Sequence, residues 1–476
     1  MSHTNLCWLP ATEMAAAIRA RQLSPVELVD ALLGRIHQLN PAVNAYCTLT
    51  EEAARQAARA AEAAVLRGDD LGLLHGVPVS IKDLLFTSGV RTMRGSHIYE
   101  QFVPDQDAPT VAKLKASGAI VLGKTTTPEF GWKGATDSPL TGVSRNPWHL
   151  ARSCGGSSGG AAAAVAAGMG PLAVGTDGAG SIRIPASFCG IVGLKPSRGR
   201  VAIYPPSAVG FLSHAGPMTR TVRDAALMLQ AIAGPDERDL GSLPVDATEY
   251  LPACEQGVRG LRVAWSADLG YAPVEPEIAQ ICASAAQVFA ADLGCVVEEA
   301  APGFLDPVQS LQILWASGLA AALGPYLPQW ADQMDPGLVE LIRSAELLSA
   351  TDYTVAVMER DALWDRTHHF FARYDLLLTP TMPTTAFAAD VPIPTLVAGR
   401  PITGFGYTPF TYPFNMTGQP SITVPCGVAA DGLPVGLQIV GGRFADAMVL
   451  RAAAAFEGVR PWADRMPSFA EALAEQ

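Results

Sequence analysis

A unit that recurs along this chain constrains its fold more than any other feature: a helical stretch, then a glycine, then a short aliphatic run. It occurs as VAKLKASGAIVLG from Val111 and again as IAQICASAAQVFAADLGCVV from Ile278, and the later runs YDLLLTP, SITVP and LPVGLQIV lead into a closing helical stretch. Such alternation predicts an α/β protein, with one large, mostly parallel or mixed twisted β-sheet covered by helices on both faces. Local signals agree. Ser24-Pro25-Val26-Glu27 supplies an N-cap, a proline at N1 and a glutamate at N3, followed by Leu28, Leu32, Ile36 and Leu39 on one face, with Asn40-Pro41 expected to end the helix. An Ala-rich helix fits Glu51 to Arg67 and stops at Gly68, after which GVPVSIKDLLF reads as a buried strand with Lys82 near its end. Without a strict repeat or a long linker, the 476 residues are expected to form a single domain, 1–476, with a helical insertion at about 304–374.

Composition narrows the function classes. At 49% hydrophobic and 16% charged residues, with a mean hydropathy of +0.21, the chain has material for a large core. Its formal charge of -12, without a local basic cluster, argues against nucleic acid and against an anionic membrane surface. No run of 18 apolar residues occurs, and the start MSHTNLCWLP lacks the pattern of a secretory signal. The Ala/Gly stretch Ala161 to Gly175 reads as a buried helix. The eight cysteines lack C-x-x-C spacing and suit reduced thiols in a cytoplasmic protein; no disulfide, metal site or cofactor is expected.

Chemistry concentrates in two glycine-rich stretches. Six consecutive Gly/Ser residues, Gly155 to Gly160, run into an Ala-rich helix, where free N–H groups and a positive dipole end would favour partial negative charge. The second, Gly178-Ala179-Gly180-Ser181, places small residues whose N–H groups can approach a substrate carbonyl, as an oxyanion hole requires. Ser181 closes it. A serine needs a base. GGSSG fits a G-x-S-x-G elbow, which would make Ser157 the nucleophile of a Ser-His-Asp α/β-hydrolase with His214, His368 or His369. The preceding HLARSC is polar, however, where an elbow needs a hydrophobic strand.

Lysine usage offers another base. The chain has six lysines, all between residues 82 and 195, against twenty-seven arginines. Lysine loses its proton when desolvated and arginine does not. Lys82 sits in apolar surroundings that would lower its pKa, while its neighbour Asp83 would raise it, so a general base and a buried ion pair are both open on these grounds.

GGSSGG followed by GTDGAGSIRIPASFCGIVGLKP resembles the amidase signature family, as do GVPVSIKDL, DLLLTPTMPTTAF, NMTGQPSITVPCG and GLPVGLQIVG across nearly the whole chain. The resemblance implies the amidase signature fold and a Ser-cisSer-Lys triad. Lys82 would be the base, Ser157 the bridging serine behind a cis peptide and Ser181 the nucleophile. The N–H groups of Gly178, Ala179, Gly180 and Ser181 would form the oxyanion hole. Gly178 and Ala179 depart from the commonest GTDTGGS pattern, which changes substrate shape near the carbonyl. The implied reaction is hydrolysis of a small uncharged or apolar amide (aryl amide, linear oligoamide or carbamate) through an acyl-enzyme, with Gly131 and Trp132 as candidate substrate-binding residues and Trp132, Phe405, Tyr407 and Phe410 as aromatic lining. A homodimer is compatible with this reading. The other branch of the resemblance is the glutaminase subunit of a tRNA-dependent amidotransferase. That reading is disfavoured because GFGYTPFTYPFNMTGQP, from Gly404 to Pro420, has no charged residue to hold glutamine's ammonium and carboxylate.

Overall fold

The computed structural model describes residues 6–245 and 247–469; residues 1–5, on which part of the N-terminal reading rests, lie outside them. Eleven strands form one sheet. In chain order they are β1 (Tyr46–Leu49), β2 (Pro78–Lys82), β3 (Ile120–Thr125), β4 (Leu172–Asp177), β5 (Val192–Lys195), β6 (His214–Thr219), β7 (Arg262–Trp265), β8 (Val296–Glu299), β9 (Leu376–Pro380), β10 (Ser421–Val428) and β11 (Pro434–Gly441). Their spatial order is β1-β3-β2-β4-β6-β5-β10-β11-β9-β7-β8. The pairs β2–β3, β2–β4, β7–β8 and β7–β9 are parallel, and the other six neighbour pairs are antiparallel. The sheet is therefore mixed rather than mostly parallel. Short connections explain this: β10 and β11 are joined by a tight hairpin, and only helical crossovers return a strand parallel to its neighbour.

The sequence signals land close to the observed elements. Ser24 Oγ accepts from the Val26 and Glu27 N–H groups, capping the helix Pro25–Val43. Pro41 does not end that helix, which runs on to Asn44 in the left-handed conformation; Asn40 Oδ1 accepts from the Ala45 and Tyr46 N–H groups and makes the stop. The second helix spans Glu51–Arg67 and stops at Gly68, φ +79°. The expected buried helix at 161–175 is half right. A short helix, Gly159–Ala166, ends before Gly168 and Gly170, and the remainder is strand β4. The polar run before Gly155 is a strand, His149–Ser153, that pairs with Arg145–Asn146 and bridges to Ala388 outside the main sheet, so an elbow has no strand of that sheet to stand on.

Between β8 and β9 the chain forms the helices Val308–Leu323, Pro336–Ser344 and Ala350–Phe371. Their inward residues, including Trp315, Leu319, Leu338 and Ile342, build an apolar cluster with Trp132, Phe410, Tyr412 and Phe414 from the body of the protein. This helical layer roofs the C-terminal ends of β2 and β4.

Candidate active site

Because β2 and β4 run parallel, with Ile81 opposite Val174, both end at the same edge of the sheet. The end of β2 delivers Lys82, and the end of β4 delivers Thr176, Asp177 and the loop to Ser181. The Gly155–Ser158 loop approaches from the side. Two amides where it enters the helix are already engaged: Ser158 N–H donates to the Ser181 carbonyl, which ties the two glycine loops together, and Gly159 N–H donates to Thr136 Oγ1. The Gly156–Ser157 peptide is cis.

Lys82 is fully buried, with its Nζ 2.7 Å from Ser157 Oγ, 2.9 Å from Ser158 Oγ and 2.9 Å from Thr176 Oγ1. Burial holds its pKa well below the ordinary lysine value, against the pull of the Asp177 charge. The alternative of an ion pair with Asp83 does not form. Asp83 instead accepts from the Met93 N–H, and burial pushes its carboxyl up to about 6 despite the charge of Lys124. Adjacent residues leave a strand on opposite sides, which is why a sequence neighbour is no spatial partner here.

Ser157 and Ser181 are both buried and face one cavity of about 300 Å³. Ser181 Oγ makes no hydrogen bond among the described residues. Beneath it, Arg183 grips Asp177 through Nε and Nη2, each at 3.0 Å, while Asp177 accepts from the Gly180 N–H at 2.7 Å and the Ile182 N–H at 3.1 Å. Burial alone would raise the Asp177 pKa, but Arg183, Lys195 and Asn415 hold this carboxyl below the usual carboxylate range. The Gly180 N–H is thus committed to Asp177, a correction to the expected donor set. Gly178, Ala179 and Ser181 keep N–H groups without a partner among the described residues.

The departures at 178 and 179 acquire a reason. A Cβ on Gly178 would lie 2.8 Å from the Trp315 ring, so a glycine there lets the helical layer close over the loop. Ala179 holds its carbonyl to Thr411 Oγ1 at 2.7 Å. Gly131 lines the same cavity, and Trp132 lines a second one of about 810 Å³ on the other side of a narrow neck formed with Phe405 and Tyr407. Phe410 belongs to the core instead.

Among the described residues no histidine hydrogen-bonds Ser157 or Ser181, although His214 lines their cavity. His214 Nδ1 lies 2.9 Å from the Leu212 carbonyl, burial holds the ring neutral, and His368 and His369 are exposed on the helix Ala350–Phe371. Among the described residues no group of three or more His, Cys, Asp or Glu is placed to hold a metal ion, and no helix is long and apolar enough to cross a membrane.

The chain matches the Amidase family model over residues 27–450. It belongs to the amidase family. It is 42% identical to an acylamidase from Rhodococcus erythropolis, over 98% of this chain and 99% of that protein. A solved bacterial aryl acylamidase of the amidase signature family superposes with a TM-score of 0.91 at 32% identity, covering 98% of this chain and 99% of that one. A glutamyl-tRNA(Gln) amidotransferase subunit from Moorella thermoacetica is 37% identical over 97% of this chain and 99% of that protein. This amidase is therefore a hydrolase of C–N bonds in amides.

Several lining residues carried no signal in the sequence. Thr176 looks like any strand threonine, Trp315 like a core tryptophan and Arg94 like a loop arginine. Each enters the site through a contact far away along the chain.

Proposed function

We propose that this amidase cleaves small amides through an acyl-enzyme on Ser181, with Ser157 and Lys82 as its proton relay. The observation that carries this reading is a buried lysine whose hydrogen-bond partners among the described residues are three hydroxyls, with Ser157 and Thr176 lining the same cavity as Ser181. Hydroxyls both donate and accept. Ser158 Oγ already donates to the Thr176 carbonyl, so it accepts from Lys82; of the remaining two hydroxyls Ser157 stands nearer, at 2.7 Å against 2.9 Å for Thr176, and is assigned to give its proton to a neutral amine. Ser157 then takes the proton of Ser181, whose oxygen attacks the carbonyl while the free N–H groups of Gly178, Ala179 and Ser181 receive the oxyanion. Passing the proton back through Ser157 to the departing nitrogen releases the amine, and water clears the acyl group.

The neck of Trp132, Phe405 and Tyr407 supports an aryl or apolar acyl half. A carbamate offers the same carbonyl and nitrogen. Cytoplasmic residence, independence of nucleic acid and a homodimeric state complete the proposal. The glutaminase-subunit reading predicts glutamine turnover only with a partner protein; the uncharged 404–420 stretch speaks against it. Turnover of aryl anilides, aliphatic amides, aryl carbamates and glutamine by the purified protein decides between the two. Ser181→Ala is expected to abolish labelling by a fluorophosphonate, whereas Ser157→Ala retains slow labelling. The opposite pattern would make Ser157 the nucleophile.

A further inference from the structure

The cavity that holds Ser181 contains one ionised side chain. No Asp, Glu or Lys is among its described lining residues, and His214 is held neutral, which leaves Arg94. Some interior cations elsewhere in the fold are matched by carboxylates, Arg183 by Asp177 and Lys133 by Asp137 and Asp335, while buried Lys124 and Lys195 are held by carbonyl and hydroxyl oxygens. Among the described residues no carboxylate lies within ion-pair distance of Arg94; burial disfavours its charged form, the Tyr99 hydroxyl and the more distant Asp83 charge favour it, and its Nε has no hydrogen-bond partner. Its guanidinium carbon stands 5.4 Å from the Tyr99 ring and 5.5 Å from the Phe130 ring. Ring contacts engage the guanidinium through its face and leave the in-plane N–H fork to bind an acceptor. The Tyr99 and Tyr326 hydroxyls line the same cavity and share one hydrogen bond at 3.4 Å, which leaves the pair one O–H to donate.

From this we infer that the amidase reads a carboxylate on the amine half of its substrate, and that Arg94 is the residue that reads it. The assignment to the amine half rests on the relay proposed above. Ser157 must reach the departing nitrogen, and Ser157 lines the Arg94 cavity but not the neck at Trp132, Phe405 and Tyr407. The two halves of the site then differ in charge. The acyl half faces the uncharged, aromatic 404–420 stretch, and the amine half meets a guanidinium with no ion-pair partner among the described residues. A carboxylate fits a planar fork through two parallel charge-assisted hydrogen bonds, which a neutral amine half of the same size cannot make. The expectation of an uncharged substrate therefore holds for the acyl side alone.

The test is a panel with acetyl as the fixed acyl group: meta- and para-acetamidobenzoate, 3-acetamidopropanoate and 6-acetamidohexanoate, each beside its neutral carboxamide. At least one carboxylate should exceed its carboxamide in kcat/KM by about tenfold, chiefly through KM, in keeping with one charge-assisted pair. Added salt should erode that advantage in the wild-type protein and leave the carboxamides alone. Arg94→Gln should cost the carboxylate at least ten times more than its carboxamide, and Arg94→Lys should restore part of the preference. A wild-type protein that favours every carboxamide, a salt-insensitive preference, or an equal loss for both series in Arg94→Gln would overturn the inference. Failure of the relay itself reads differently: Ser181 would resist fluorophosphonate and no anilide, charged or neutral, would turn over.

Discussion

Two buried lysines, 51 positions apart in the chain, show what burial alone does not decide. Lys82 at the end of β2 meets three hydroxyls; Lys133, beyond β3, lies 2.7 Å from Asp137 and 2.8 Å from Asp335. The carboxylates commit the Lys133 side chain to two ion pairs, and removing it would leave two buried or half-buried negative charges unmatched. Hydroxyls reorient, so Lys82 can be charged or neutral without an orphaned group. One lysine fastens the helical layer to the body through Asp335, and the other has the surroundings that the proposed relay needs. What distinguishes them is the chemistry of the partner.

The largest expected effect comes from removing that freedom. Lys82→Arg keeps a positive charge yet cannot deprotonate in this range, so kcat/KM should fall by about 10³ in a protein whose circular dichroism is native, the order expected for a lost general base. Turnover within tenfold of wild type would make Lys82 structural, like Lys133. In the wild-type protein kcat/KM should rise with pH to a plateau, with its midpoint below the ordinary lysine value of 10.5 because burial disfavours the charged form. Stability carries the same sign. Between the lowered folded pKa and 10.5 the unfolded chain holds the extra proton, so Lys82 makes folding more favourable as pH rises through that window, and urea titrations of Lys82→Met should show a flatter profile there.

Breaking the other lysine should be read in stability. Lys133→Met leaves Asp335 buried without its cation and is expected to cost about 3 kcal/mol in chemical denaturation. A loss under about 1 kcal/mol would show that the pair does not hold the helical layer. Smaller still is Gly131→Ala. Gly131 has φ +75°, and a Cβ there would lie 3.1 Å from Ser157 Oγ and 2.8 Å from Leu84 Cδ1, so steady-state turnover should drop by about tenfold, in line with roughly 1–2 kcal/mol for a left-handed alanine and a displaced hydroxyl, while Ser181 still labels. Unchanged turnover would dissociate Ser157 from its position. The finest probe is Thr176→Val, which removes one acceptor of the Lys82 ammonium. The charged form loses more than the neutral one, so the pH midpoint should move down by less than about one unit, the size of a single net hydrogen bond. An upward move would mean that Thr176 donates to Lys82 instead.

The sequence by itself determined which residue types are present and what local structure they favour. Ser24 capped a helix, Gly68 stopped one, and GTDGAGS carried enough glycine to keep the β4 loop against Thr411 and Trp315, because capping and backbone reach depend on residues a few positions apart. Lys82, Ser157 and Ser181 were legible through the length of the family pattern. Proximity across the fold was not legible. Whether Lys82 faced Asp83 or a ring of hydroxyls depended on strand pleat and on Thr176, 94 residues away. Whether the Gly180 N–H was free depended on the Asp177 carboxylate turning back on its own loop. That Arg94 has no ion-pair partner among the described residues could be seen only once the acidic side chains had been placed elsewhere, since electrostatic neighbours are set by distance in space and the chain order does not encode that distance locally.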